Sequence, residues 1–440
     1  MFLGRGVVSL KTSSPQLRRE LGVVGAIVMG LGSIIGTGVF VSIGIAAGIA
    51  GTAVILAVII GAIVATCNAL NSAQLAANHP VSGGSYEYGY KYLNSWLGFT
   101  AGWMFLLAKS ASAATAALGF AGYFLNATGL TGRGLLVPLA IAAVFVITVI
   151  VLNGIRRSNR INIVIVSISF FSLIYFILGG IPTAITVGSE NLTPLFKDSF
   201  ATMLHASALM FVAYTGYGRI ATLGEEAHDP RKTIPKAIVI TMIVTMLLYV
   251  GVAIIAVATI GAETLNESAL SEQAAPLEVA VRSFGIPGGP QIMAIGAIFA
   301  MLGVLLNLIL GLSRVLLAMG RRRDMPRIFA RLNQSGTTPT PAVIAVSTII
   351  CILVLIGNVK TTWSFSAFTV LIYYSITNLA AFYLPGDGRL YPKWLSILGL
   401  LACVFLAFWV EPFIWQLGLA LIVAGLIWHG VAQKLGDERS

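Results

Sequence analysis

Long apolar runs separated by short polar or basic segments dominate the chain. Each run is near or above the roughly 20 apolar residues that a helix needs to cross about 30 Å of hydrocarbon. The runs lack the strand-like alternation of a transmembrane barrel, so the pattern predicts an all-α polytopic membrane protein with 12 spans. The predicted spans lie near 21–49, 52–77, 95–126, 134–153, 160–184, 200–224, 236–260, 290–319, 341–357, 363–384, 393–410 and 412–431.

Composition and charge agree with this pattern. Of the 440 residues, 57% are hydrophobic and only 10% are charged, which excludes a soluble enzyme because soluble domains are about a quarter charged. A net charge of +11 would suggest nucleic acid, but 20 of the 27 basic residues lie in alternate loops and only four lie in the opposite loops. This asymmetry predicts cytoplasmic tails at 1–20 and 432–440 in a cell-membrane protein, and it explains the charge without nucleic acid.

Glycine clusters interrupt two of the runs. Span 1 contains Gly30-Leu-Gly-Ser-Ile-Ile-Gly-Thr-Gly38, and span 6 contains Ala213-Tyr-Thr-Gly-Tyr-Gly-Arg219. Each Gly costs a helix about 1 kcal/mol relative to Ala, so we expect non-helical interruptions at 32–38 and 213–218. The clusters are five spans apart, which indicates a transporter of two inverted five-helix repeats whose substrate lies between the broken helices. The alternative is that the glycines only permit close helix packing.

Several motifs resemble those of the amino acid–polyamine–organocation (APC) superfamily, in its amino acid permease branch. The resemblance implies a LeuT-like 5+5 inverted repeat with broken helices 1 and 6, formed by residues 21–184 and 200–384, with two peripheral helices in 393–431. The matching segments are Gly32–Gly38, Pro80–Tyr86, Glu225-Glu226 with Pro230, Ile234–Ile238, Ser313-Arg314, Asp324–Pro326 and Thr340–Ala342.

Backbone groups freed by the two breaks suit a free amino acid. The N–H groups of Gly36, Thr37 and Gly38 are candidates for its carboxylate, because they lie at the positive end of a half-helix. Specificity must then come from side chains, and Tyr214 and Tyr217 are candidates for a pocket wall or gate; alternatively they are packing residues. The resemblance also implies that Ser33 belongs to the substrate site. It implies that the substrate ammonium donates to the backbone carbonyls of Ile34, Val212, Ala213 and Thr215.

Three residues are candidates for coupling or gating. Lys109 lies about 16 Å into span 3, where a buried ammonium is costly unless it is paired. Proton-coupled members of the family carry a lysine in span 5, at the position of Ser169 here. We expect the Lys109 ammonium to contact span 1, span 5 or Ser169, and so to supply the charge that the span 5 lysine provides in those members. One alternative is that Ser169 helps to bind sodium. Another is that Lys109 has only a structural role. Arg219 is a candidate inner gate that forms an ion pair with Glu225 or Glu226. Alternatively, it binds an anionic substrate side chain.

No cofactor or metal is expected, because the four histidines are scattered and the sequence has no phosphate-binding loop. All 16 acidic residues fall in loops or span ends, which disfavours a membrane enzyme. We therefore predict a secondary active transporter that moves amino acids by alternating access. Ala108 stands where members with cationic substrates often carry a glutamate, which favours neutral amino acids as substrates. With Lys109 as the coupling residue, the prediction is proton-coupled symport of neutral amino acids. The alternatives are a sodium-coupled symporter, an exchanger, and a channel or non-transporting nutrient sensor.

Overall fold

A computed structural model describes residues 22–437 apart from 82, 131–133, 154–157, 195–198, 222–226, 271–274 and 335–336. The predicted tail 1–20 and the Glu225-Glu226 pair lie outside the described residues. The described residues form the α-helices α1 (Val23–Ile34), α2 (Ile43–Ala50), α3 (Val54–Asn78), α4 (Ser85–Tyr92), α5 (Ser95–Thr128), α6 (Leu136–Leu152), α7 (Ser158–Asn191), α8 (Phe200–Tyr214), α9 (Gly218–Ala221), α10 (Pro230–Leu270), α11 (Pro276–Arg282), α12 (Gly289–Arg321), α13 (Thr340–Val354), α14 (Val359–Phe382), α15 (Lys393–Ala407) and α16 (Pro412–Asp437).

Apolar helices long enough to cross a membrane make up most of this architecture. Within the described residues, seven helical segments have the length and composition for a crossing, and four shorter apolar helices accompany them. The protein is therefore a multi-pass membrane protein. Its arrangement as 12 spans in two inverted repeats stays a prediction.

The first predicted interruption follows α1. This helix ends at Ile34, and Ile35 has extended backbone angles (φ −69°, ψ 108°). Helical structure resumes as a π-helix over Gly38–Ser42, which leads directly into α2. The interruption is therefore shorter than the predicted 32–38.

The second interruption follows α8, which ends at Tyr214. A 3₁₀ turn over Thr215–Tyr217 connects it to the short helix α9. The chain thus changes its helical geometry within the predicted segment 213–218, but it remains helical, so the expectation of a non-helical segment there is wrong.

Helix α5 lies at the centre of the bundle. Its most apolar 18-residue window is 83% buried, and it packs against α12 and α14. The helix is rich in Ala, Gly and Ser, and such small side chains let neighbouring helices approach closely. By contrast, only 22% of the corresponding window in α16 is buried, so this last helix is peripheral.

Two faces of the bundle are used below to describe positions. The basic face is the end where α3 ends and α4 and α5 begin, next to the segment after α12 that carries Arg322. The Glu411 face is the opposite end, where α14 begins and Glu411 precedes α16.

Candidate functional site

A cavity of about 110 Å³ lies between the two helix interruptions. Both interruptions contribute to its wall, and α5, α12 and α14 complete it. The lining residues are Ser33, Ile34, Gly36, Thr37, Gly38, Gly83, Phe105, Lys109, Ser112, Val212, Ala213, Thr215, Gly216, Gly218, Arg219, Val304, Asn307, Leu308, Gly311, Arg314, Val315, Trp363 and Tyr373.

The two interruptions touch each other at glycines. A Cβ added to Gly216 would clash with the carbonyl group of Ser33, and a Cβ added to Gly38 would lie 2.5 Å from Cβ of Ala213. Because each glycine faces another backbone segment, a larger residue there would force the two broken helices apart. Packing between the two broken helices therefore requires glycine at Gly38 and Gly216, whether or not a ligand is bound.

The interruption in span 1 leaves hydrogen-bonding capacity at the cavity. The Gly36 carbonyl accepts from the N–H groups of Val39 and Phe40, at 3.1 and 3.2 Å, and so begins the next helical segment. The first N–H groups of such a segment have no acceptor within the helix. Moreover, the buried Thr37 hydroxyl has no hydrogen-bond partner among the described residues. The combination suits a ligand that accepts hydrogen bonds.

Three carbonyl groups that are predicted to bind the substrate ammonium already accept a hydrogen bond from a hydroxyl group of the protein. Tyr249 donates to Ile34 at 2.7 Å, the Thr215 side chain donates to Val212 at 2.8 Å, and Tyr374 donates to the Thr215 carbonyl at 3.3 Å. These hydroxyls stabilise the ends of α1 and α8 without any ligand. A carbonyl oxygen has two lone pairs, so each still has capacity for a second donor.

Lys109 lines the cavity but does not take the direction expected from the sequence. Its Nζ donates to Oγ1 of Thr215 at 2.9 Å and lies 5.9 Å from the ring centroid of Tyr373. The expected contact with span 1, span 5 or Ser169 is wrong, because the side chain points toward span 6 and span 10. With 7% of its surface exposed, Lys109 is buried, and it forms no ion pair with the acidic residues that the structure describes.

Ser169 lies outside the cavity lining. Its hydroxyl donates to the carbonyls of Ile165, at 2.9 Å, and Gly296, at 3.2 Å, and so connects span 5 to the neighbouring α12. The side chain that joins span 5 to span 1 is instead Asn162, whose amide donates to the Val28 carbonyl at 3.4 Å. Asn162 precedes Ser169 by seven residues, or about two helical turns, and so lies on the same face of the helix.

The aromatic residues of the wall differ from the predicted pair. Tyr214 and Tyr217 are fully buried and pack against Tyr249 and Tyr374, with ring centroids 5.1 and 5.3 Å apart, and neither lines the cavity. The lining aromatics are Phe105, Trp363 and Tyr373. Phe105 precedes Lys109 by four residues, so helical spacing would have identified it. Spacing offers no comparable signal for Trp363 and Tyr373 on α14.

Basic side chains contribute to the wall of the cavity. Lys109, Arg219 and Arg314 line it, and the described part of the lining contains no acidic residue. The predicted pairing of Arg219 with Glu225 or Glu226 stays a prediction. Within the described chain, no group of three His, Cys, Asp or Glu residues is placed to hold a metal ion.

Comparison with known families decides the class of this site. Residues 25–436 match the family model described as "Amino acid permease". The chain belongs to the amino acid permease family. The resemblance to the APC superfamily is thereby confirmed, and the family implies an amino acid substrate and a membrane environment for this permease.

Similar proteins are also transporters rather than enzymes. The permease is 37% identical over 424 residues to an uncharacterized transporter of Mycobacterium tuberculosis, covering 94% of this chain and 92% of the relative. It is 27% identical over 352 residues to the branched-chain amino acid permease BcaP of Bacillus subtilis, covering 76% and 74%. It is 28% identical over 350 residues to the methylthioribose transporter of the same organism, also covering 76% and 74%.

Proposed function

We propose that this permease is a secondary active transporter that carries neutral amino acids across the cell membrane by proton-coupled symport. The observation that carries the proposal is the position of Lys109, which is buried at the cavity between the two helix interruptions. In this scheme residues 21–184 and 200–384 act as inverted repeats, and alternating access moves them about the cavity. The basic face is cytoplasmic, as are both termini.

The substrate backbone binds to the interruptions. Its carboxylate accepts from the N–H groups of Gly36, Thr37 and Gly38, and the unpartnered Thr37 hydroxyl donates to the same group. Its ammonium donates to the second lone pairs of the span 1 and span 6 carbonyls. The zwitterion therefore replaces the hydrogen bonds that an intact helix would have made.

The rest of the wall selects the substrate side chain. Phe105, Val304, Leu308 and Trp363 provide apolar surface, while the buried ammonium of Lys109, which forms no ion pair with the described acidic residues, disfavours a cationic side chain. An apolar, uncharged side chain satisfies both conditions.

Lys109 carries the coupled proton. Its amine is buried without a counter-ion among the described residues, so its charge is costly and depends on the conformation around it. Because Thr215 belongs to the interruption of span 6, gain or loss of the proton acts directly on a segment that surrounds the substrate. This links protonation to the change between the two states.

Uptake by purified protein in liposomes tests the proposal, with proton and sodium gradients imposed separately. We expect a proton gradient alone to drive accumulation of branched or other neutral amino acids, and we expect lysine and arginine not to compete. A requirement for sodium would favour the sodium-coupled alternative. Counterflow without accumulation would identify an exchanger, and binding without movement of substrate would identify a sensor.

A further inference from the structure

A charged cluster lies at the Glu411 face, separate from the cavity. Nε2 of His205, on α8, is 3.4 Å from Oε2 of Glu411, which immediately precedes α16. The other carboxylate oxygen, Oε1, is 3.8 Å from Nζ of Lys360 at the start of α14. One carboxylate therefore joins three parts of the chain: the first half of broken span 6, the start of span 10 and the last helix.

A second contact lies one helical turn deeper. The Trp363 indole donates to the Leu209 carbonyl at 3.1 Å. Trp363 follows Lys360 by three residues on α14, and Leu209 follows His205 by four residues on α8, so the two contacts are stacked along the same pair of helices. Together they close the Glu411 face over the cavity.

The cavity is directed away from this closure. Trp363 covers its end toward the Glu411 face, while Gly83, Gly311 and Arg314 line its end toward the basic face. The structure is thus a state in which α8 and α14 are joined at the Glu411 face. Access from that face between α8 and α14 requires both stacked contacts to separate.

The ionic contact depends on histidine protonation. Burial by itself raises the pKa of the Glu411 carboxyl, but His205 and the Glu411 backbone amide outweigh it and hold the pKa at about 2. Glu411 is therefore ionised at physiological pH, and its contact with His205 is an ion pair only when His205 is protonated.

Few other ionisable groups face this pair. The described elements that pack against α8 include α2, α3, α14 and α15. Neither α2 nor the half of α3 near the Glu411 face carries an ionisable side chain, α14 contributes Lys360, and α15 contributes the buried Cys403. Protonation of His205 strengthens its attraction to a carboxylate that is already charged.

We propose that Glu411 is a positioning residue that acts through His205 to hold the first half of span 6 against α14, so that acidification of the Glu411 face keeps that face closed. The contact itself does not require the proposed transport function, whereas its effect on uptake rests on that function. In a transporter this device would limit entry from a strongly acidic exterior. It would also give the peripheral helix α16 a role in controlling access.

Thiol labelling tests the proposal without a substrate. The assay uses the full chain with Cys67, Cys351 and Cys403 replaced by serine and with Ser112→Cys as the probe, because Ser112 lines the cavity. A membrane-impermeant maleimide is added to intact cells between pH 5.5 and 8. The rate is divided by that of Thr264→Cys, an exposed position on the same face, to remove the pH dependence of thiol reactivity.

We expect normalised labelling to slow by about two- to fivefold from pH 8 to pH 5.5, the range for a partly exposed ion pair. His205→Gln and Glu411→Gln should each abolish this dependence and label faster at pH 5.5. Lys360→Met is the matched control, because its ammonium contacts Glu411 but the pair with His205 remains. It should keep the dependence on pH.

Two results would overturn the proposal: an unchanged pH profile in both His205→Gln and Glu411→Gln, or an equal loss of the profile in Lys360→Met. Inside-out vesicles provide a second arm, since labelling from the basic face should not slow on acidification. Amino acid uptake is measured in separate, unlabelled cells that express the chain with Ser112 intact. If labelling depends on pH as expected but no uptake occurs, the proposed transport function is rejected and the role of the Glu411 contact is supported. If uptake occurs but labelling does not depend on pH, the role of the Glu411 contact is rejected and the transport function is supported.

Discussion

The Lys109 ammonium donates to the Thr215 hydroxyl across 2.9 Å and thereby joins span 3 to the interruption of span 6. The same hydroxyl donates to the Val212 carbonyl at 2.8 Å, at the end of α8. A short chain of hydrogen bonds therefore runs from a buried amine to the end of a broken helix. A change in the charge of Lys109 alters the first bond of that chain.

The first prediction concerns this amine. Lys109→Ala should abolish accumulation driven by a proton gradient and retain substrate counterflow, because exchange does not require a net proton movement. Lys109→Arg is the matched control for charge, since a guanidinium keeps its proton and should also fail to accumulate substrate. Both activities are measured in the same vesicles. Equal loss of counterflow and accumulation in Lys109→Ala would contradict the coupling role.

A second prediction separates packing at the interruptions from cavity lining in general. Gly216→Ala should destabilise the protein by about 1–3 kcal/mol and impair binding, because the new Cβ meets the Ser33 carbonyl group. Gly311→Ala is the control: Gly311 lines the same cavity, yet nothing lies within 4 Å of an added Cβ. Thermal unfolding in detergent and substrate binding are the measurements. Similar behaviour of the two variants would show that the interruptions are not tightly packed.

The third prediction concerns the size of the substrate. Trp363 is 4% exposed and covers one end of the cavity, so Trp363→Ala should admit larger side chains and weaken closure of the Glu411 face. Trp363→Phe keeps most of the bulk but loses the bond to Leu209, worth about 1 kcal/mol. A competition panel of neutral amino acids of increasing size measures the effect. An unchanged order of competitors in Trp363→Ala would remove this residue from the specificity-determining wall.

A fourth prediction concerns stability at the basic face. Asp324 is buried, and it accepts from the hydroxyls of Tyr86 and Tyr90, each at 2.6 Å, while Nδ1 of His429 lies 3.2 Å from its other oxygen. Burial, reinforced by Asp324, raises the pKa of both tyrosines, which therefore remain donors throughout the physiological pH range. Asp324→Asn should cost about 1–3 kcal/mol, because an amide cannot replace both carboxylate acceptors.

Asp387→Asn is the matched control for that measurement. Asp387 is exposed in a turn between α14 and α15, so the same loss of charge should leave the melting temperature nearly unchanged. A comparable fall in melting temperature for the two variants would indicate a general effect of charge, and would count against the buried cluster around Asp324.

The sequence by itself determined the features that depend on local chemistry. Hydrophobic length identified the helices, and the glycine clusters identified where spans 1 and 6 are interrupted, because both depend on neighbours within a few turns of the same chain. Ten of the predicted site residues, among them Thr37, Lys109 and Thr215, line the cavity. The motif resemblance identified the family for the same reason, since each motif is a contiguous segment.

Only the tertiary structure decided which side chains meet. Trp363 and Tyr373 join a cavity whose other lining residues lie 48 or more positions away in sequence, and nothing near them in the chain indicates that position. The direction of Lys109 and the replacement of Ser169 by Asn162 at the contact with span 1 depend on how far each helix is rotated and shifted against its neighbours. Rotation and shift are set by packing across the whole bundle, and a sequence of almost uniformly apolar helices leaves them undetermined.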